Sequence, residues 1–329
     1  MQRKLFDAYC EALSAAPSED DVVPAAVISG RESDFVAVGA EEQPMILLSC
    51  AGLAGLRRPP IMLQHLTVEF GIHYRIRTPH SFDDGHFVVM SLRGEDQALI
   101  ELFCLAADAL LDALPEAPSV GDVERVVRQF VELMSALSVP SPRTVVGLWA
   151  ELWLMSVATN PLAAVAAWHG MNTDRFDFAF AEHFVEVKAT EWGERNHEFS
   201  YEQLRGSQLP VSVASLKLRR AQNGKSISDL VSELQEVLNP EMRTKLVRNV
   251  FGAVGSAVSE ASEMRFDEAF AETNLRLIAA DRVPTVVIPE GSPISSVRFR
   301  VNLDDSSMTD DLLAPDSRVA LEPQTLHQD

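Results

Sequence analysis

Phe176-Asp-Phe-Ala-Phe-Ala-Glu-His-Phe-Val-Glu-Val-Lys-Ala-Thr190 reads as two short strands separated by a turn, near 176–181 and 184–190. Successive side chains of a strand point to opposite faces. Phe176, Phe178 and Phe180 therefore share one face of the first strand, and Asp177 and Ala179 the other. In the second strand Val185 and Val187 take one face, Glu186 and Lys188 the opposite one. Two adjacent strands so patterned present Asp177, Glu186 and Lys188 to a common point. The competing reading is an edge strand with a plain exposed Glu/Lys pattern.

Lysine is scarce in this chain. Only Lys4, Lys188, Lys217, Lys225 and Lys245 occur, and of these only Lys188 has an acid two places before it. Set between Val187 and Ala189, Lys188 is costly to bury without partners. Two carboxylates beside an ammonium suit metal-assisted phosphodiester hydrolysis. The carboxylate oxygens hold a hard divalent ion, and the cation steadies charge or helps generate the attacking hydroxide.

Upstream, Arg143-Thr-Val-Val-Gly-Leu-Trp-Ala-Glu-Leu-Trp-Leu-Met-Ser-Val-Ala158 predicts a helix that is apolar nearly all round, with Glu151 its only charge after Arg143. Such a helix is buried, and a lone buried carboxylate needs a cation or hydrogen bonds. A metal ion shared with Asp177 and Glu186 meets that need. Solvent access or an arginine partner meets it equally.

The rest of the chain divides at proline-rich breaks. Residues 1 to about 115 mix a helix with β-rich runs at 24–28, 35–39, 45–49 and 86–92, then the apolar helix 97–114. A second helix, 122–137, precedes Pro140-Ser-Pro, and the domain boundary is placed there. The expected organisation is an N-terminal α+β domain, 1–138, a second domain, 139–303, and an acidic flexible tail, 304–329. Within the second domain, strands are expected near 211–220, 275–278, 285–288 and 296–303, with helices near 226–238 and 241–258.

At 329 residues and 47% hydrophobic, the chain is long enough for two buried cores. Its apolar runs stop short of the roughly 18 residues of a membrane span and no basic leader opens it, so a cytoplasmic location is expected. Cys10, Cys50 and Cys104 lack paired spacing and are expected to be buried thiols, not a disulfide framework or a zinc site. The net charge of −20 argues against a nucleic-acid enzyme until its distribution is considered. Residues 141–250 hold 12 Lys and Arg against 13 Asp and Glu, a net of −1, and the rest carries −19.

The order of Glu151 on a helix, Asp177 on a strand and Glu186-Val-Lys188 on the next resembles the PD-(D/E)XK nuclease superfamily. More narrowly, Gly147-Leu-Trp-Ala-Glu151, Trp168-His-Gly, Arg175-Phe-Asp-Phe, Val185-Glu-Val-Lys and His197-Glu-Phe-Ser-Tyr-Glu-Gln203 resemble a bacterial family assigned to it. That family is encoded beside DNA methyltransferases and ATPases in restriction and phage-defence clusters. The resemblance covers roughly residues 143–205. Phe176 stands where the superfamily motif has proline. The resemblance implies an α/β (α+β) fold with a restriction-endonuclease-like αβββαβ core beside the N-terminal α+β domain. It also implies a Mg²⁺-dependent deoxyribonuclease, with Mn²⁺ able to substitute, whose partner is DNA. Asp177, Glu186, Lys188 and Gln203 are the expected catalytic residues, and Glu151, Asp177 and Glu186 the expected metal ligands. Proteins of a defence cluster, or a second copy of the chain, are further expected partners.

Other residues carry two readings each. Gln203 contacts phosphate or a metal-bound water, or else completes a capping box with Ser200. His197 approaches substrate or is structural, and Trp168 and His169 are expected to pack. Lys217, Arg219, Arg220 and Lys225 form the densest basic patch, a DNA-backbone contact or a solvated strand end closed by an Asn223-Gly224 turn. The rival function is a catalytically silent adaptor that keeps the nuclease fold to scaffold a DNA-defence complex.

Overall fold

Helix starts follow capping chemistry written in the sequence. Ser119, Ser200 and Ser226 each close a capping box with the residue three places on, Asp122, Gln203 and Asp229. Asn160 and Asn239 cap helices whose first residue is proline, where a missing N–H removes no helical hydrogen bond. The computed structural model describes residues 4–14, 22–56, 58–141, 143–168, 175–289, 291 and 293–304. The expected tail from 305 onward and His169 lie outside them. Among the described residues no helix is long and apolar enough to cross a membrane.

The chain is mixed α/β and forms two compact units, Met1–Ser141 with Asn239–Ser259, and Pro142–Leu238 with Glu260–Asp329. In the first unit, α1 (Lys4–Ser14) precedes strands β1 (Val22–Ile28), β2 (Arg31–Val38), β3 (Pro44–Leu48), β4 (Ile61–Met62), β5 (Leu66–Arg77) and β6 (Phe82–Leu92). Helices α2 (Gln97–Leu111) and α3 (Val120–Ala136) follow. The sheet runs β1-β2-β3-β6-β5-β4, and β1 also pairs in parallel with β5, so five strands close on themselves. Phe35, Ala37, Met45, Leu47, Ile76, Phe87 and Val89 form a core cluster of this sheet. The sequence pattern does not announce β5, because a bulge at Gly71 breaks its alternation between Glu69 and Ile72. Gly71 has φ +68°, and a Cβ there would lie 2.7 Å from the Leu56 carbonyl oxygen.

The second unit contains α4 (Val145–Ser156), α5 (Pro161–Ala167), β7 (Phe178–Ala179), β8 (Phe184–Thr190), β9 (Asn196–Ser200), α6 (Tyr201–Arg205), β10 (Val211–Lys217), β11 (Arg220–Lys225) and α7 (Ile227–Val237). After α8 (Pro240–Val254) and α9 (Val258–Glu263) come α10 (Glu268–Thr273), β12 (Leu275–Ala279) and β13 (Arg298–Asn302). Its main sheet is β12-β10-β8-β7, with β8 and β10 parallel and the outer pairings antiparallel, while β13 pairs with β9. Helix α4 packs on β8 and on α7. The order α4, β7, β8, β9, α6, β10 is the expected αβββαβ succession.

The structure departs from expectation in particular places. Helix α8 packs on α2 and α3 of the first unit, and its Arg243 is ion-paired with Asp112, so the first unit is not continuous in sequence. Residues 285–288 form no strand: Pro284 and Pro289 flank them and Val287 is 94% exposed. The first motif strand shrinks to Phe178–Ala179. Only Cys104 is buried, whereas Cys10 and Cys50 are half-buried. Asn223-Gly224 is no turn but lies within β11, where the backbone of Phe266 crosses.

That crossing needs glycine. A Cβ on Gly224 would lie 2.8 Å from the Phe266 nitrogen and closer still to its carbonyl. Gly224→Ala is expected to destabilise the chain by about 1–3 kcal/mol or more. The control is Gly252→Ala in α8, where nothing lies within 4 Å of an added Cβ, and where alanine is expected to add about 0.5–1 kcal/mol. Urea unfolding of both variants checks the contrast.

Candidate active site

Strand β8 pairs with β10 along its whole length and with β7 only at Phe184 and Val185, so Glu186 and Lys188 lie just past the end of β7, and their burial, not a second flanking strand, excludes a plain exposed edge. Glu186 is only 4% exposed, as buried as its valine neighbours. Its Oε1 accepts from Lys188 Nζ at 2.6 Å and from Gln203 Nε2 at 2.7 Å. Lys188 Nζ also sits 5.3 Å from the centroid of the Phe199 ring. Asp177, just before β7, is fixed by the Val187 N–H, which donates to Oδ2 at 2.8 Å. Glu186 and Lys188 are thus bonded to each other, and Asp177 is tied to the same stretch of β8 through the Val187 backbone.

Glu151 comes to the same place from α4, 5% exposed. Its Oε2 accepts from Trp168 Nε1 at 2.7 Å and pairs with Arg143 Nη1, which also lies 3.5 Å from Asp177 Oδ1. Arg143 Nη1 thus lies between the Glu151 and Asp177 carboxylates, which gives Glu151 the arginine partner that is one of its two readings.

Burial governs the electrostatics. It pushes Glu151 up to about 8 and Glu186 up to about 7, each reinforced by the charge of Asp177 and opposed by Arg143, with Lys188 also opposing at Glu186. Asp177 is raised by burial against the lowering effects of the Val187 N–H, Arg143 and Lys188. Oxygen donors whose charges repel in a dry site suit a hard divalent cation. Among the described residues, however, no three acidic, His or Cys side chains are already arranged as a metal cage. Arg143 stands between two of the candidates.

Gln203 takes the capping-box role and in addition bonds a site carboxylate. Its Oε1 accepts from the Ser200 N–H at 3.0 Å, closing the capping box of α6, while Nε2 reaches Glu186. His197 is structural: 4% exposed, it bonds Ser215 Oγ at 2.8 Å, and burial, followed by Lys188 and Arg195, lowers it to about 4. Trp168 packs as expected but is also a donor to Glu151. The basic patch is not collected at the carboxylates. Lys217 pairs with Asp304 at 2.8 Å, Arg219 with Asp267 at 2.5 Å, Arg220 with Glu191 at 2.6 Å, and Lys225 with Glu233 and Glu268 at 2.6 and 2.8 Å.

The strand motif does not reveal Arg143 or the donor role of Trp168. Two signals were available: a buried indole N–H requires an acceptor, and Arg143 is the cation nearest in sequence to Glu151.

Glu151 and Glu186 hold their protons to higher pH when folded than the ordinary 4.5 of an unfolded glutamate. These two groups therefore bind more protons in the folded state between about 4.5 and 8, and the stability they contribute falls as pH rises through that window, with His197 opposing the trend below about 6.5. Melting temperature in chelator is expected to decline from about pH 6.5 to pH 8, and Glu186→Gln should make the decline shallower.

A family model described as "Putative PD-(D/E)XK family member, (DUF4420)" matches residues 12–304. No curated protein and no solved structure matches the chain. With the family matched over nearly all of its length and a nuclease-like α/β core beneath the Asp177, Glu186 and Lys188 cluster, the chain belongs to the DUF4420 family.

Proposed function

We propose that this chain is a metal-dependent DNA endonuclease of a restriction or anti-phage defence system, using Mg²⁺ with Mn²⁺ able to replace it. The observation that carries the reading is the convergence of Asp177, Glu186 and Lys188, with Lys188 2.6 Å from Glu186 and Gln203 fixing the same carboxylate. Asp177, Glu186 and Glu151 would hold the ion, which when bound supplies phosphate charge neutralisation and a water of lowered pKa. The Val187 N–H and Gln203 orient the two strand carboxylates. Lys188, with a side chain 21% exposed, presents an ammonium to a phosphate oxygen or to the attacking water.

Lys217, Arg219, Arg220 and Lys225 are proposed to follow the DNA backbone. Arg219 and Arg220 are paired on the surface, 61% and 57% exposed. Exposed pairs contribute little, which leaves phosphates able to displace their partners. Defence-cluster proteins such as an ATPase or methyltransferase, a second copy of the chain, and a cytoplasmic site of action belong to the same proposal. The complete pairing of that basic patch favours a second reading, the silent nuclease-fold adaptor.

Incubation with methylated and unmethylated supercoiled plasmid, with Mg²⁺ or Mn²⁺ and with or without the neighbouring gene products, separates the two. An endonuclease nicks or linearises at least one substrate, and an adaptor cuts none. Lys188→Ala is expected to slow cleavage by about 100-fold or more with an unchanged melting profile. Cutting at the wild-type rate removes Lys188 from the mechanism. For DNA binding, replacing Lys217, Arg219 and Arg220 together by alanine should flatten the dependence of log affinity on log salt by about one unit per lost phosphate contact. Identical slopes defeat the backbone assignment.

A further inference from the structure

Arg143 is used by neither the strand motif nor the reading above, yet it is the most constrained cation near the site. It lies just before Thr144, the N-cap of α4, with a side chain only 12% exposed. Its guanidinium joins carboxylates from two different elements, bonding Glu151 Oε2 and reaching Asp177 Oδ1 at 3.5 Å. It also lowers the proton affinity of Glu151, Asp177 and Glu186 alike, so its charge acts on the whole cluster.

We propose that Arg143 is a resident counter-ion occupying the place of the divalent cation between Glu151 and Asp177, so that metal binding is an exchange in which the guanidinium leaves as the ion enters. The inference rests on the metal-site reading above. Two physical points carry it. Two cations cannot share one pair of carboxylates at contact distance without strong repulsion. Finally, each carboxylate has a neutral anchor that stays behind, Trp168 Nε1 for Glu151 and the Val187 N–H for Asp177. The acids therefore keep their places when Arg143 departs.

Calorimetric titration of the full chain with Mn²⁺ tests the exchange. Arg143→Met keeps the bulk of the side chain and removes its charge. If the guanidinium holds the site most of the time, the variant should bind Mn²⁺ about tenfold more tightly than wild type. In chelator it should melt at a lower temperature, and Mn²⁺ should raise its melting point by more than that of wild type. Equal or weaker Mn²⁺ affinity in the variant overturns the exchange while leaving the metal site intact. Failure of both proteins to bind overturns the exchange and the metal-site reading together. A measurement on wild type covers the case in which the variant does not fold. The Arg143 Nη1 hydrogens, which bond the two carboxylates, should be protected from exchange in chelator and exchange rapidly with solvent at saturating Mg²⁺, and unchanged protection overturns the proposal.

Discussion

Asp177 raises the cost of charge on two buried glutamates, Glu151 and Glu186, and the second unit meets that repulsion with specific partners. Charge in a low-dielectric interior is unfavourable, and a second like charge nearby makes it more so. Glu151, Asp177 and Glu186 each answer this with a specific donor: Trp168, the Val187 N–H and Gln203. Two cations, Arg143 and Lys188, supply compensating charge. Because these partners come from α4, β8, α6 and the residues flanking β7, the cluster fixes several elements relative to one another.

The scaffold beneath the cluster is correspondingly rigid. Val213 and Phe199 are essentially inaccessible, and Ser215, paired with Lys188 across the β8–β10 ladder, accepts from Arg195 and bonds His197. Burial, reinforced by the charges of Lys188 and Arg195, lowers the proton affinity of His197. Gln203 shows the same economy of position: one amide caps α6 and holds Glu186, so a change in that helix start would move a site carboxylate. Precision of this kind comes from side chains whose rotamers are fixed by their own hydrogen bonds.

Acidity outside the site has a structural use as well. Asp304 accepts from the Arg195 N–H and pairs with Lys217, tying the end of β13 to β10, and Asp267 and Glu191 hold Arg219 and Arg220. The four basic residues that a charge count alone marks as a nucleic-acid contact are thus part of the surface ion-pair pattern. Any polyanion at that strand must compete with these acids, which makes ionic strength a central variable of the surface.

By itself, the sequence determined the strand β8 to the residue, the buried helix around Glu151 and the Ser200–Gln203 capping box, because these follow from alternation, helical burial and local cap chemistry, whereas the αβββαβ order came from the family resemblance. It also marked Asp177, Glu186 and Lys188 as sharing a face, since a two-residue period is a local property of the chain. Tertiary structure alone decided that Arg143 bridges Glu151 and Asp177, that Trp168 is a donor and that the basic patch is paired. Those partners lie on separate elements, and nothing local states which will meet. It likewise decided the destination of α8, whose buried Leu246, Val247, Val250 and Phe251 specify an apolar stripe without naming the surface that covers it. The same limit hid the role of Gly224: a glycine admits both a turn and a close backbone crossing, and only the position of Phe266 selects between them.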